Sequence, residues 1–169
     1  MKKLWITIVV LTLIGCTVAL GQLPPIQGMP RGKNPIHPAY GLGLTKQQIV
    51  AFTLLGEARG EGPTGMYAVL CVIEQRALNR RLQPHQVCLQ RWQFSCWNRG
   101  GTPVPMPILT STPVGREAMR LASLPRALIN RKVTNFADHY FAVGIPAPRW
   151  AKPHLFVIRH GRHLFYKLR

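Results

Sequence analysis

The sequence predicts an α+β fold, a helical lobe followed by a small antiparallel β-sheet. A capping-box pattern, Thr45-x-x-Gln48, stands directly before the apolar run Ile49 to Leu55. Apolar residues then recur at helical spacing through Met66, Val69, Ile73 and Ala77. From Asn135 onward the chain becomes rich in aromatic and β-branched residues, punctuated by Pro and Gly. With 169 residues, 47% of them hydrophobic, there is enough material for one packed core.

Residues 1–21 read as an export signal: Met1-Lys2-Lys3 supplies positive charge and Leu4 to Ile14 an apolar run too short to span a bilayer. Leu13-Ile14-Gly15-Cys16 resembles the lipobox of bacterial lipoproteins, in which lipid is attached to the cysteine, here Cys16. Plain cleavage after Ala19-Leu20-Gly21 is the alternative, and both remain open. The expected location is exported, periplasmic or in the cell envelope. Residues 22–43 hold five prolines and four glycines and read as a linker whose Arg31, Lys33 and His37 can touch an anionic surface.

The folded part occupies residues 44–169. Its first helix should end at Gly60, Gly62 and Pro63, and Thr64 can cap a second helix reaching about Arg80. Pro84 should open a short helix through Leu89. Arg99 to Thr110 reads as a loop, and Thr112-Pro113 as the start of a helix that Pro125 interrupts. Strands are expected within Asn135–Val143 and Leu155–Leu168, the latter folded at a two-residue turn, His160-Gly161.

Charge is the first anomaly. The 22 Lys and Arg residues face five acidic ones, a net +17 that should seek polyanions, whether nucleic acid, anionic membrane or acidic cell-wall polymer. Among the cysteines, Cys71 lies in an apolar helical run and reads as a buried thiol, while Cys88 and Cys96 can close a small disulfide loop in an oxidising compartment. No C-x-x-C pair exists, and His154, His160 and His163 lack a spaced His/Glu pair on a helix, so neither metal nor other cofactor is expected.

Any carboxylate chemistry must draw on Glu57, Glu61, Glu74, Glu117 or Asp138. Glu57 stands at the C-terminal end of a largely apolar helix, where desolvation and the negative end of the helix dipole should favour its protonated form. A protonated glutamate can serve as a general acid. Gly56 beside it would leave room for a bulky polymer. A solvated glutamate at a helix end is the competing description. Glu61, in the turn beyond, can pair with Arg59, cap the second helix or act as a second carboxylate.

Three stretches taken together resemble the SleB-type cell-wall hydrolases, the spore cortex-lytic enzymes. They are Leu54-Leu55-Gly56-Glu57-Ala58-Arg59-Gly60-Glu61-Gly62, then Gly65-Met66-x-Ala68-Val69, then Gln93-Phe94-Ser95-x-Trp97. Ala137-Asp138-His139-Tyr140, Pro148-Arg149-Trp150-Ala151 and Gly161-Arg162-His163-x-Phe165-Tyr166 are similar to later motifs of that family in the same order. Glu74-Gln75-Arg76 departs from it, standing where an Asn-Arg pair is common.

The resemblance implies a lysozyme-like helical lobe, a cell-wall hydrolase domain over residues 44–169 and Glu57 as the catalytic acid of a lytic transglycosylase. Peptidoglycan is the implied substrate. Trp92, Gln93, Ser95 and Trp97 can offer flat surfaces and hydrogen bonds to sugars, or form a core aromatic pair with polar caps. Tyr140 and His139 are the implied substrate contacts of the strand; alternation lets only one of them face a given cleft, the family position favours Tyr140, and a structural role is the alternative for His139. The alternatives are a zinc-dependent N-acetylmuramoyl-L-alanine amidase and a non-catalytic basic module binding envelope polymer or nucleic acid. Export and the ordered motifs weigh against nucleic acid, leaving anionic envelope polymers or lipids as the partners of the positive charge.

Overall fold

The computed structural model describes residues 38–98 and 102–169. The expected export signal, Cys16 and the linker up to residue 37 lie outside the described residues. The end of the Pro/Gly-rich segment forms a 3-10 turn, Pro38–Leu42, whose Ala39 is buried in the core.

Helix α1 spans Lys46–Ala58. The capping box is formed as expected: Gln48 N–H donates to Thr45 Oγ1 at 3.2 Å and Thr45 N–H to Gln48 Oε1 at 2.8 Å. Ile49 to Leu55 are all buried, so α1 is enclosed on every side, the pattern of a core helix rather than a surface one. Its one buried hydroxyl is satisfied twice, since Thr53 Oγ1 donates to Ile49 O and accepts from Trp97 Nε1.

A 3-10 turn, Arg59–Glu61, leads into α2, Gly62–Arg80. Thr64 does not cap this helix: it begins at Gly62, with Pro63 in the first turn, where a missing N–H costs nothing and φ is already helical. Arg81 ends it in the left-handed conformation, donating its N–H to Ala77 O and Leu78 O. Helix α3 covers Pro84–Cys88.

The segment expected to be a loop contains α4, Met106–Ser111. Its prolines fall at the helix start, so a composition that signals a loop conceals a helix. Thr112 caps α5, Pro113–Ala122, by accepting the Gly115 N–H at 3.1 Å. Gly115 allows α4 and α5 to touch: a Cβ there would lie 2.0 Å from Ile108 O and 2.4 Å from Leu109 O.

The sheet has three antiparallel strands in the order β1-β3-β2, with β1 at His139–Ala142, β2 at Phe156–His160 and β3 at His163–Tyr166. His160 pairs with His163, so the hairpin turn is Gly161-Arg162, one residue later than expected. Gly161 takes the positive φ of +53° that His160 would have had to bear. In the β1–β3 register Tyr140 stands opposite Phe165. Phe165 packs with Ala68 and Val72 of α2 and with Ala137, forming a small second core. Helix α2 thus serves both lobes, because its Met66, Val69, Leu70 and Ile73 belong to the main core with α1.

Gly115→Ala should therefore lower the unfolding free energy by about 1–3 kcal/mol, the cost of an overpacked site, read as a lower urea midpoint with helical circular dichroism retained below the transition. A midpoint equal to wild type would contradict the close α4–α5 contact.

Candidate active site

Glu57 is the penultimate residue of α1 and is half-buried. Tyr140 Oη donates to Glu57 Oε2 at 2.9 Å, and the Cys96 N–H approaches Oε1 at 3.4 Å. Helix end, strand β1 and the Ser95–Trp97 3-10 turn thus converge on one carboxylate. The Tyr140 ring packs on His163, with centroids 5.0 Å apart, and on Phe165 at 5.5 Å. Burial, then the Glu57 charge, push the Tyr140 hydroxyl well above its ordinary value, so at neutral pH it is a proton donor to the carboxylate.

Gly56 makes this approach possible in a different way from the expected clearance for polymer. A Cβ at Gly56 would lie 2.6 Å from Cys96 Cβ and 3.0 Å from Pro103 Cβ. The missing side chain lets the turn carrying Cys96 sit directly on α1.

The tryptophans separate. Trp97 is 2% exposed, lies edge-on to Phe52 and donates its indole N–H to Thr53. It is a core residue and cannot face a glycan, which corrects its expected role in substrate binding. Trp92, at 69% exposure, is the indole available to a ligand, and the Arg91 guanidinium lies 5.0 Å from its ring centroid. Ser95 is exposed and Gln93 half-buried on the same connection.

Strand alternation separates His139 from Tyr140. His139 Nδ1 meets Asp138 Oδ1 at 2.9 Å and its ring lies 5.0 Å from Trp150, so it takes no part in holding Glu57. Glu61 is not joined to Arg59, which is exposed. Its Oε2 accepts the Arg162 N–H at 3.0 Å, and a Cβ on Gly161 would fall 2.0 Å from that oxygen. Glu61 therefore clasps the β2–β3 turn to the helical lobe.

Cys71, Cys88 and Cys96 are free thiols, so the expected Cys88–Cys96 bridge is not formed. Cys88 is enclosed beside Thr53, and burial pushes its thiol up to about 12. Burial, followed by the Glu57 charge, pushes the Cys96 thiol higher still, which keeps both sulfurs protonated and unreactive.

Two residues gain importance that sequence reasoning did not assign them. His163 is buried against Tyr140 within electrostatic reach of both Glu61 and Glu57; burial outweighs those charges and holds its pKa below the ordinary 6.5. Arg76 is 6% exposed, donates Nε–H to Asp138 O at 2.6 Å and lies 5.2 Å from the Phe94 centroid. It ties α2 to the residue before β1, and so to the strand that carries Tyr140. A charged residue inside an apolar helical run was its only signal. Among the described residues no group of three or more His, Cys, Asp and Glu side chains is placed to hold a metal ion.

A helical lobe that presents one carboxylate to the hydroxyl of a sheet tyrosine has the make-up of an acid/base enzyme. The chain belongs to the cell-wall hydrolase family, whose sequence model matches residues 60–166, and it is accordingly an enzyme acting on the cell wall with peptidoglycan as a fitting substrate. The matched span begins three residues after Glu57, so the claim of that residue rests on geometry. No curated protein and no solved structure matches the chain.

Asp138 supplies a pH test of the frame around the site. Burial opposes its ionisation, but the His139 bond, the Leu168 N–H and the nearby His139 and Arg76 charges outweigh it and hold the carboxyl below its ordinary 3.8. A depressed folded value stabilises the fold above the unfolded value, and this contribution disappears as pH falls through the folded one. Asp138→Asn should be less stable than wild type at neutral pH, with the gap narrowing below about pH 3.8 in urea melts run across pH. A gap independent of pH would contradict this.

Proposed function

We propose that the chain cleaves the peptidoglycan glycan strand between N-acetylmuramic acid and N-acetylglucosamine, as a SleB-type lytic transglycosylase with Glu57 as its single acid/base. The observation that carries this reading is the distribution of the five carboxylates. Glu61 clasps the hairpin turn, Glu74 is buried against Arg126, Glu117 is paired with Arg120, and Asp138 is held by His139 and the Leu168 N–H. Glu57 and Glu61 are met only by uncharged donors; of the two, Glu61 is engaged by the Arg162 N–H of the hairpin turn, whereas Glu57 stands half-buried at the end of its helix against the Tyr140 hydroxyl.

An ordinary glycosidase needs a second carboxylate as nucleophile or as base for water. A transglycosylase does not. Glu57 gives its proton to the glycosidic oxygen as the bond to C1 of the muramyl residue breaks. The resulting carboxylate then takes the proton of that sugar's own 6-hydroxyl while O6 bonds to C1, closing a 1,6-anhydro ring. Tyr140 and the Cys96 N–H orient the carboxyl group and stabilise the charge it carries midway. Exposed Trp92 and Ser95 supply a face and a hydrogen-bonding group for the strand.

The enzyme would work outside the cytoplasm, in the periplasm or cell envelope, with Cys16 lipidation or free release as two forms of delivery. The basic segment at the N-terminus and the apolar run after it support export.

Mass spectrometry of peptidoglycan digested with wild type and with Glu57→Gln tests the mechanism. Anhydromuramyl ends from wild type and their loss by at least about a hundredfold in the variant are expected, a deficit of the size that loss of an acid/base group brings. Reducing muramyl ends would replace the transglycosylase with a hydrolase, freed stem peptides would point to an amidase, and an unchanged digest from Glu57→Gln would remove Glu57 from the chemistry.

A further inference from the structure

A surface apart from the Glu57 site has the character of a membrane-docking ridge. The segment Leu124 to Lys132 passes from α5 along the flank of α2 and includes the 3-10 turn Arg126–Leu128. It is firmly held. Arg126 Nε meets Glu74 Oε2 at 2.7 Å, the Asn130 N–H donates to Tyr67 Oη at 2.8 Å, and Ile129 is buried in the core. On this rigid support Leu128 is 68% exposed, although leucine is among the side chains most often buried. A second leucine, Leu78 on α2, is 49% exposed and lines the same hollow as Arg126 and Arg131.

Charge surrounds these leucines. Arg131 lines the hollows on both sides of Ala127, and Lys132 the one beside Leu128 and Phe136. Arg81 follows Leu78 by three residues and caps the end of α2. The single carboxylate in these hollows, Glu74, is buried and already bound to Arg126, so nothing negative offsets the basic groups. Exposed leucine ringed by Arg and Lys on a rigid turn is the arrangement that seats a peripheral protein in the headgroup layer, leucine among acyl chains and cations at phosphates. Peptidoglycan would use the charges but not the leucines, which is why a lipid surface fits better.

We propose that the Leu124–Lys132 ridge, with Leu78, docks this protein on an anionic lipid bilayer. The ridge packs on the flank of α2 that carries Tyr67, Cys71 and Glu74, whereas the sheet that brings Tyr140 to Glu57 packs on Ala68 and Val72. Docking there leaves Glu57 free to meet a glycan strand. No helix among the described residues is long and apolar enough to cross a membrane, so contact through this ridge is peripheral.

The test uses the full chain and sedimentation with vesicles of phosphatidylglycerol and phosphatidylcholine, compared with pure phosphatidylcholine. Arg131→Gln/Lys132→Gln is set against Arg116→Gln/Lys152→Gln, which removes the same charge from other exposed positions. Binding to anionic vesicles should fall at least about tenfold more for the ridge pair than for the control pair, as expected for two basic residues at a charged surface. Leu128→Asp should lose binding similarly. Turnover of soluble glycan fragments should match wild type in all three, so the outcome is independent of the role given to Glu57. Equal loss in the ridge and control pairs would reduce the effect to net charge and overturn the proposal. It would be overturned equally by ridge variants that lose binding to purified wall sacculi while keeping it to vesicles, since the ridge would then serve the wall.

Discussion

The hydrogen bond from Tyr140 Oη to Glu57 Oε2 joins residues 83 apart in sequence, and most of the architecture around it can be understood as what this bond requires. Tyr140 reaches the end of α1 only if β1 lies against β3 in the observed register, with Phe165 filling the space between the sheet and α2. Arg76 fixes the approach to β1 through Asp138 O, and Glu61 holds the far end of the hairpin through the Arg162 N–H. Each tie runs from the helical lobe to the sheet. Together they place one phenol against one carboxylate, and burial keeps that phenol protonated.

Scarcity of acid makes the arrangement informative. In a protein with net charge +17, an acidic side chain is readily drawn to a basic neighbour, as Glu74 and Glu117 are. Glu57 is kept from that fate because its surroundings are a glycine, a half-buried tyrosine and a cysteine turn. Several basic groups lie on the ridge, on another flank of α2. Separating the two regions lets one surface hold an anionic partner while the other carries out chemistry.

How much of this was legible in the sequence depended on how local the cause was. The capping box at Thr45, the start of α3 at Pro84 and the cap at Thr112 are decided within four residues, and they are found where the sequence places them. Glu57 at a helix end follows from the same local pattern. Helix α4 was hidden because prolines suit a loop and a first helical turn equally well. The turn at Gly161 was displaced by one residue because strand register is set by packing across the sheet. Trp97 could not be told from a sugar platform, since its burial depends on Phe52 and Thr53, more than forty residues earlier. Alternation says only that His139 and Tyr140 part; the resemblance favoured Tyr140, and it is the placed sheet that brings the Tyr140 hydroxyl to Glu57.

The central claim, that Glu57 acts because Tyr140 holds it, is tested most directly by steady-state turnover of Tyr140→Phe on purified peptidoglycan, with thermal unfolding measured on the same sample. Removing one hydroxyl keeps the ring packed on His163 and Phe165 and deletes only the bond to the carboxylate. Turnover should fall about tenfold or more, the loss expected for a hydrogen bond to a charged group, with the melting temperature within a few degrees of wild type. Unchanged turnover in a well-folded Tyr140→Phe would contradict the account.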